Sequence, residues 1–516
     1  MEKEIKDLVL AVDAGGSGVR AFGMNRLGET EAQVFLPWEA SHPEDGATEY
    51  DPLVLWETLK NLLHKLVNDT GVDPRRFAAC GITNQRSSFC FWDRAGGEPL
   101  TPLISWQDVR VTPTAERMNK KPAFRLLKTL AGWGAALTRD TMLTATSLLE
   151  LNMDHAITKV VWLMERDPEL KRRCFEGTAV FGTLDSWFIY NLTGRREHVT
   201  DLTNASSTSL YNPFDLCWNS IFCKIFQIPM GIFPQVKNSS DHFGVLDESL
   251  LGVSIPITCA VGDQQSALFG HTCFTPGEVK ISMGSGAFVN INVGPKGKLS
   301  HRGLFPLIAW RVGDRIQYML EGQLATMGTL INWCVNDMAW FADPEEMNSL
   351  AEQCEDPGNL VFIPCPSGIR FPHFQPRMRT HISGLNLSSG RPELARGIIN
   401  GFAHRLVDVL EGIREDTGVK IGNIKVDGGV SRSDVLLQTL ADLSGCRVAR
   451  SPEVEVTGRG AAYLAGLAVG FWQHEEELKS LGKNYRIFNP SKDLPWRRKA
   501  RQVWQARVKN ALSCFD

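Results

Sequence analysis

The sequence lacks an excess of charge of either sign and has no long hydrophobic run. Its 55 basic and 58 acidic residues give a formal charge of −3, which leaves no surplus of positive charge to neutralise a nucleic-acid backbone. The longest apolar run, from about Ala461 to Trp472, is shorter than the ~20 residues that a membrane-spanning helix requires. We therefore expect no nucleic-acid partner and no transmembrane segment, and we interpret the apolar run as a buried helix.

Paired cysteines and targeting signals are also missing. The 12 cysteines include no CxxC pair and no Cys/His cluster at metal-binding spacing, so we expect reduced thiols and no structural zinc. The start, MEKEIKDLVL, is charged where a secretory signal is apolar, and no myristoylation or prenylation motif is present. These features favour a cytoplasmic location. They leave the oligomeric state, including a homo-oligomer, and any association with an organelle open.

The familiar nucleotide-binding motifs are absent. The sequence contains no GxxxxGK[ST] stretch, no GxGxxG after a strand and no protein-kinase signature set. A protein of this sequence that binds phosphate must therefore use another architecture.

Strand and helix patterns alternate through most of the 516 residues, a length that predicts two or three domains. LVLAVDA and VRAFGMN predict a strand hairpin, and AACGITNQ predicts a further buried strand. Asp51 and Pro52 mark the start of an amphipathic helix whose buried stripe is Leu55, Leu59, Leu62, Leu63 and Leu66. Residues from about 112 to 157 have mixed periodicity and support no assignment.

The second half repeats the theme of a strand, a glycine turn and a strand. IPITCAVG and VKISMGSGAFVNINVG predict strands, and NIKVDGGVSRSDVLLQ predicts a strand, a turn and a helix. A long helix follows from the apolar stripe Ala395, Ile399, Phe402, Leu406 and Leu410, and GAAYLAGLAVGFW is the last clear helix. We predict an α/β protein with two domains, residues 1–256 and 257–516.

Three glycine turns follow predicted strands. They are Asp13-Ala-Gly-Gly-Ser-Gly, Gly284-Ser-Gly286 and Asp427-Gly-Gly429. Glycine permits a positive φ and a close approach of backbone amides to an anion, which makes such turns natural phosphate cradles. A single DG or GG pair is usually an ordinary turn. Three of them at strand ends favour nucleotide binding.

Four side chains, of which Asp13 lies in the first turn, could take part in binding or catalysis, and each has a plainer alternative. Asp13 could hold a magnesium ion or only the amides of its own turn. Asp263 could be a general base, but local chemistry alone favours a helix N-cap. Arg86 could donate to a substrate hydroxyl, although a surface charge is the usual interpretation, and Trp106 could line a pocket or belong to the core.

Six segments in order resemble the FGGY carbohydrate kinases, and among them the glycerol kinases, over nearly the whole chain. They are GITNQR, FGTLDSW, TDLTNASST, GDQQSALFG, KVDGGV and GAAYLAGLAVGFW. The resemblance implies two actin-like, ribonuclease-H-type domains with ATP and substrate in a cleft between them. It also implies ATP-dependent phosphorylation of a small polyol, assisted by Mg²⁺.

The resemblance assigns roles residue by residue. Asp263 matches the general base, and Asp13 matches the magnesium-associated carboxylate. The other matches form two groups. For the polyol they are Arg86, Trp106, Gln264 and Phe288, and for the nucleotide Gly16, Ser17, Gly18, Arg20, Ser285, Gly328, Asn332, Gly429 and Asp434.

The sequence also departs from the family pattern. Ser87 stands where glycerol kinases have a glutamate, Gly16 replaces a threonine, and Asp434 replaces an asparagine. The pocket tyrosine is unmatched. Glycerol is thus the first hypothesis for the acceptor, a different sugar or polyol is the second, and a nucleotide-binding regulatory protein with little turnover is the alternative from another class.

Overall fold

The N-terminal hairpin forms as predicted, within a computed structural model that describes residues 6–300, 302–453, 456–481 and 484–515. Strand Leu8–Ala14 pairs antiparallel with Gly18–Asn25, and Asp13 lies opposite Arg20. The predicted helix spans Pro52–Thr70, and the side chain of Asp51 accepts the amide of Leu53 at its N-terminus. Its leucine stripe is buried, because it packs on the face of the hairpin sheet.

The described chain divides into two compact units. The first contains the described residues up to Thr272, together with 307–318 and 457–481. The second contains residues 273–306, 319–456 and the part of the chain beyond 482. These units differ from continuous halves divided at residue 256, because strand Pro256–Gly262 pairs in parallel with Phe77–Asn84 and so keeps residues on both sides of position 257 in the first unit.

In the first unit the main sheet runs, strand by strand, Ser240–Val245, Pro256–Gly262, Phe77–Asn84, Leu8–Ala14, Gly18–Asn25 and Thr30–Pro37. A second sheet has the order Glu49–Tyr50, Leu103–Ile104, Phe89–Asp93 and Ala179–Thr183. Short strands are Val199–Asp201, Tyr211–Asn212, Cys217–Trp218 and Gln235–Lys237. Strands Phe305–Val312 and Arg315–Leu324 contain the points at which the chain passes from one unit to the other.

Helices cover the sheets of the first unit. Besides Pro52–Thr70 they are Thr112–Lys120, Pro122–Thr138, Thr141–Leu148, Ala156–Arg166, Pro168–Glu176, Leu184–Leu192, Leu202–Ser207, Ser220–Phe226, Glu248–Leu251, Asp263–Gly270, Thr457–Ala468 and Glu475–Lys479, with single 3₁₀ turns at Pro74–Arg76 and Met230–Ile232. The apolar run is indeed a buried helix: residues 458–466 of Thr457–Ala468 are all buried. Residues 112–148, which had no assignment, form three helices.

The second unit has a sheet of order Arg486–Phe488, Val448–Arg450, Ile424–Asp427, Val279–Met283 and Ala287–Gly294. A separate pair is formed by Val361–Ile363 and His381–Ser383. Its helices are Gly328–Asn336, Pro344–Gln353, Arg391–Thr417, Asp434–Ser444 and Leu494–Leu512, and a 3₁₀ turn spans Gly429–Arg432. The α/β class is confirmed.

The buried helix Thr457–Ala468, predicted as the last clear helix, is not the last one. Helix Leu494–Leu512 follows it, with only Arg501, Trp504, Val508 and Ala511 buried on one stripe. Its remaining positions carry so many basic residues that the stripe does not stand out in the sequence. Within the described residues, no helix combines the length and the apolar character needed to cross a membrane.

Candidate active site

Three parallel strands of the first unit end side by side. Ala14 pairs with Asn84, and Asn84 pairs with Gly262. Since parallel strands present their carboxyl ends at one edge of a sheet, the residues around these ends are brought together. Asp13, Arg86 and Asp263 therefore lie at the same edge although they are far apart in the sequence.

Arg86 and Asp263 form an ion pair at this edge. The Nε atom of Arg86 lies 3.3 Å from Oδ1 of Asp263, and the two side chains are 12% and 29% exposed. Gly262 makes the approach feasible, because a Cβ atom there would lie 2.7 Å from Cγ of Arg86. The carboxylate is thus partly accessible and paired with an arginine.

Asp263 is the first residue of helix Asp263–Gly270, whose N-cap is Gly262. The interpretation of Asp263 as the N-cap is therefore wrong. Its Oδ1 atom accepts the amide of Gln264 at 2.7 Å, and its Oδ2 atom accepts Nε2 of Gln264 at 3.2 Å. Gln264 thus lies directly against the candidate base, which fixes the orientation of the carboxylate.

A buried hydrogen-bond network fixes the N-terminus of this helix. The amide of Gly262 donates to Oγ1 of Thr203 at 2.8 Å, and the hydroxyl of Thr203 donates to Oδ1 of Asp201 at 2.9 Å. Burial raises the pKa of Asp201 to about 7, and the neighbouring carboxyl of Asp185 adds to the effect. Sequence reasoning gave Thr203 and Asp201 no role, although both lie in the TDLTNASST segment.

Asp13 lies in a setting that suits a cation. Burial, followed by the negative charge of Asp263, raises the pKa of Asp13 to about 7, although the positive charge of Arg20 acts in the opposite direction. A desolvated carboxylate repelled by a second carboxylate is stabilised by a nearby hard cation such as Mg²⁺. The donor chemistry therefore fits a magnesium ion held by Asp13 and waters. Among the described residues, no group of three or more His, Cys, Asp or Glu side chains forms a metal cluster.

The first glycine turn has its carbonyl groups held from outside. Tyr50 donates its hydroxyl to the carbonyl of Gly16 at 2.7 Å, and Trp38 donates its indole N–H to Gly15 and its amide to Ser17, each at 3.2 Å. Among the described residues, the amides of Gly16 and Ser17 have no hydrogen-bond acceptor, and both residues are exposed. These amides are available to an anion.

The other two candidates of this turn have distinct surroundings. A Cβ atom on Gly18 would lie 2.5 Å from the carbonyl oxygen of Leu36, so glycine is required for packing against the next strand. Arg20 lies on the following strand, with its guanidinium carbon 5.5 Å from the centroid of the Phe35 ring. Arg20 also faces the charge of Asp13.

Trp106 is attached to the Arg86 loop through its backbone. Its amide donates to Oγ of Ser88 at 3.0 Å, and its carbonyl accepts Nζ of Lys159 at 2.8 Å. Lys159 also donates to the carbonyl of Ser105 at 2.7 Å. This lysine is fully buried, and burial lowers its pKa to about 8. Nothing in the sequence distinguishes Lys159 from a surface lysine, so it was missed.

Ser87 adopts a left-handed backbone conformation with φ of 61°. Its hydroxyl donates to the carbonyl of Ser207 at 2.7 Å, and the residue is 8% exposed. The side chain therefore bonds to the protein backbone.

The second unit brings together Ser285, Gly328 and Asn332. The amide of Met327 donates to the carbonyl of Ser285 at 2.7 Å, and the amide of Gly328 donates to that of Gly284 at 3.0 Å. Gly328 begins a helix on which Asn332 lies one turn later, exposed. Gly328 must be glycine, since a Cβ atom would lie 2.7 Å from the oxygen of Gly284.

The third glycine turn follows the strand next to the second turn, because Asp427 pairs with Ser282. Gly428 has φ of 88°, and a Cβ atom there would lie 2.4 Å from the oxygen of Met283. Gly429 has open space on the Cβ side. Asp434 begins the following helix and forms ion pairs with Arg450, at 2.9 Å, and with Arg486.

Phe288 lies in strand Ala287–Gly294, opposite Ser282. It belongs to the second unit, whereas Arg86, Trp106 and Gln264 belong to the first. Within the first unit, the structure brings Arg86 and Gln264 into contact with Asp263.

Comparison with known proteins agrees with this architecture. The model of the FGGY family of carbohydrate kinases matches residues 8–270 with its N-terminal domain and residues 279–469 with its C-terminal domain. The chain belongs to the FGGY family of carbohydrate kinases. The predicted family and the predicted enzyme class, a kinase, are confirmed.

Its relatives include glycerol kinases along nearly the full length. The chain is 34% identical to glycerol kinase 5 of Danio rerio, over 93% of this chain and 91% of that protein. It is 33% identical to glycerol kinase 2 of Thermotoga maritima, over 98% of each. The crystal structure of Plasmodium falciparum glycerol kinase with ADP superposes with a TM-score of 0.90 at 29% identity, covering 99% of both chains. The two-domain, actin-like fold is thereby confirmed.

Proposed function

We propose that this protein transfers the γ-phosphoryl group of ATP to a hydroxyl of a small polyol, and that glycerol, giving glycerol 3-phosphate, is the first substrate to test. The observation that carries the proposal is the convergence of Asp13, Arg86 and Asp263 at the ends of three adjacent parallel strands. The glycerol kinase relatives and the ADP-bound Plasmodium structure support the same chemistry.

Asp263 acts as the general base in this proposal. It accepts the proton from the attacking hydroxyl, while Arg86 and Gln264 hold its carboxylate and donate to the other hydroxyls of the acceptor. Trp106 lines the acceptor pocket on one side, and Phe288 contributes the apolar contact that the family resemblance assigns to it. Positioning of the acceptor contributes more to the rate than the proton transfer does.

Each unit, taken by itself, contributes candidate nucleotide contacts that the family resemblance assigns. In the first unit, Gly16, Ser17 and Gly18 receive a phosphate and Arg20 adds positive charge. In the second unit, the turn at Ser285 and the residues Gly328, Asn332, Gly429 and Asp434 contact the nucleotide. A magnesium ion held by Asp13 would supply positive charge to neutralise the phosphate oxygens.

The decisive experiment replaces Asp263 by Asn and measures acceptor-dependent release of ADP. Loss of the base should lower turnover by ~10² to 10⁴ and leave the unfolding midpoint within a few degrees. Asp69→Asn, at an exposed helix position, is the matched control and should leave turnover unchanged. Undiminished turnover in Asp263→Asn would refute the assigned role.

Ser87 favours a second candidate, a kinase for a different sugar or polyol. A glutamate at this position would give the acceptor a charged hydrogen-bond partner worth roughly 1.5 to 3 kcal/mol, and serine does not supply one. The Ser87 hydroxyl is already bonded to the carbonyl of Ser207. A panel of polyols and ketoses tested for ADP release decides between the two. ATP binding without stimulation by any of them would instead indicate the regulatory alternative.

A further inference from the structure

Helix Pro122–Thr138, which we call the apolar helix, presents a row of large hydrophobic side chains to solvent. Leu126 is 59% exposed, Leu130 51%, Trp133 67% and Leu137 86%. With 3.6 residues per turn these four positions fall within about 60° of the helix circumference. They therefore form one continuous stripe, which we call the exposed stripe.

The opposite side of the same helix already has a partner. Phe124 and Ala131 are buried, and the ring of Phe124 contacts Phe222 and Phe226 of the same unit. The helix is thus fixed to the protein by one face, and the exposed stripe is a second apolar face. Burial of the first face cannot explain the second, and large contiguous apolar patches on a protein surface mark interaction sites.

Basic side chains outnumber acidic ones around the exposed stripe. From Arg117 to Arg139 the sequence has six basic residues and no acidic one. Lys128 pairs with Glu150 and Arg117 pairs with Glu165, but within the described part of the chain Arg125 and Arg139 form no ion pair. Both arginines are exposed. The segment is strongly basic in a protein whose formal charge is −3.

A basic cavity opens at the start of the apolar helix. It has a volume of about 430 Å³, and its lining includes Arg117, Lys120, Lys121 and Lys171, with Glu165 as the single acidic residue. Lys120 is 79% exposed and its Nζ atom lies 3.9 Å from Oε2 of Glu116, and the ammonium of Lys121 lies 5.5 Å from the centroid of the Phe226 ring. Such a cavity suits an anionic headgroup, because cations reach it from helices Thr112–Lys120 and Pro168–Glu176 and from Lys121, which follows the first of these helices.

We propose that the exposed stripe and the basic cavity together form a docking site for an anionic membrane surface. A helix that buries Leu and Trp side chains at the lipid interface and directs Lys and Arg toward anionic headgroups is the arrangement by which peripheral proteins bind membranes. The apolar stripe alone would suit a second copy of this chain equally well. The excess of basic over acidic side chains around the stripe favours the membrane, since two copies of this face would bring that excess of like charge together.

The test is co-sedimentation of the full-length protein with lipid vesicles. The protein should bind vesicles that contain phosphatidylserine, bind phosphatidylcholine vesicles much less, and lose binding as salt is added. Trp133→Gln with Leu137→Gln should weaken binding by about tenfold or more, because two large apolar contacts are lost. Lys120→Gln with Lys121→Gln should weaken it roughly fivefold for each charge removed.

The controls separate docking from catalysis and from folding. Leu27, 68% exposed in the same unit, is a matched apolar residue, and Leu27→Gln should leave vesicle binding unchanged. All these variants should keep acceptor-dependent ADP release, because no altered residue belongs to the candidate active site. If the apolar double variant is poorly folded, the lysine variant tests the proposal by itself.

Two results would overturn the proposal. The first is binding to anionic vesicles that is absent, or that neither double variant changes. The second is self-association of the wild-type protein in analytical ultracentrifugation that the apolar double variant abolishes, with no difference in vesicle binding. That outcome would identify the stripe as an interface between copies of this chain.

Discussion

The Nε atom of Arg86 lies 3.3 Å from Oδ1 of Asp263, so this arginine contacts the carboxylate proposed as the base. Both side chains are accessible to solvent, and ion pairs in such surroundings contribute ~1 kcal/mol or less to stability. The pair therefore matters for the orientation of the carboxylate and of the acceptor more than for the stability of the fold.

This predicts a separation of activity from stability at Arg86. Arg86→Gln should change the free energy of unfolding by less than ~1 kcal/mol but lower kcat/KM for the acceptor by roughly 10²-fold, because a small misplacement of reacting groups is costly. Urea unfolding and steady-state kinetics measure the two quantities. Arg75→Gln, an exposed ion pair in the same unit, serves as control. An equal loss of activity in both variants would contradict the assigned role.

The glycine turns allow a prediction that distinguishes ligand binding from folding. A Cβ atom on Gly429 would meet no protein atom within 4 Å, so Gly429→Ala should fold normally. If this turn contacts the nucleotide, the added methyl group occupies the ligand's space, and KM for ATP should rise by about tenfold or more, equivalent to ~1.4 kcal/mol.

Gly428→Ala provides the contrast. Its methyl group would lie 2.4 Å from the oxygen of Met283, and φ is 88°, so the protein itself should be destabilised by ~1 kcal/mol or more. Gly429→Ala should therefore raise the KM for ATP without changing thermal unfolding, whereas Gly428→Ala should lower the midpoint of thermal unfolding. A normal KM for ATP in Gly429→Ala would exclude that turn from the nucleotide site.

Much of the fold could be predicted from the sequence wherever local chemistry decides it. Asp51 and Pro52 mark a helix start, and the apolar segments Leu8–Ala14 and Gly18–Asn25 on either side of a glycine turn indicate a hairpin, because these signals act within a few residues. Helix Leu494–Leu512 could not be predicted in this way. Only four of its residues are buried, and which four depends on the elements that pack on the helix, which a local pattern does not show.

In the candidate site, too, only the residues marked by local sequence signals could be predicted. Asp13 and Asp263 stand beside strand ends that the sequence marks, so their position could be predicted, and the family motifs supplied their proposed roles. Thr203, which accepts the amide of Gly262, could not be assigned from its own neighbourhood. The support comes from a part of the chain about 60 residues away, and single-sequence patterns carry no information on such contacts.

Lys159 allows a test of a second long-range contact, the one that holds the backbone at Trp106. Its buried amine holds the carbonyls of Ser105 and Trp106, so Lys159→Met should leave both unsatisfied and release the Trp106 loop. We expect KM for the acceptor to rise by about tenfold with KM for ATP nearly unchanged. Val160→Ala, a cavity in the same helix, should cost ~1 to 3 kcal/mol of stability without this kinetic signature. Equal effects on the acceptor KM would make the lysine merely structural.

His404 predicts the response of the second unit to acid. Its ring stacks on Trp504 at 4.8 Å, and Arg501 donates to Nδ1 at 3.0 Å, which requires a neutral ring with its lone pair on that nitrogen. Burial, followed by the charge of Arg501, lowers the pKa of His404 to about 3, whereas an unfolded histidine titrates near 6.5.

Between these two values the unfolded chain binds the extra proton and the folded chain does not. The unfolding free energy should therefore be fully retained above pH ~6.5 and decrease as the pH falls toward ~3, by up to ~1.4 kcal/mol per pH unit from this group. His404→Asn keeps an acceptor for Arg501 and removes the titration, so the thermal midpoint of the variant should fall less between pH 7 and pH 5 than that of the wild type. His64→Asn, on the surface-facing side of helix Pro52–Thr70, is the control and should fall as the wild type does. Parallel acid profiles for the wild type and His404→Asn would show that the ring is not held neutral in the folded protein.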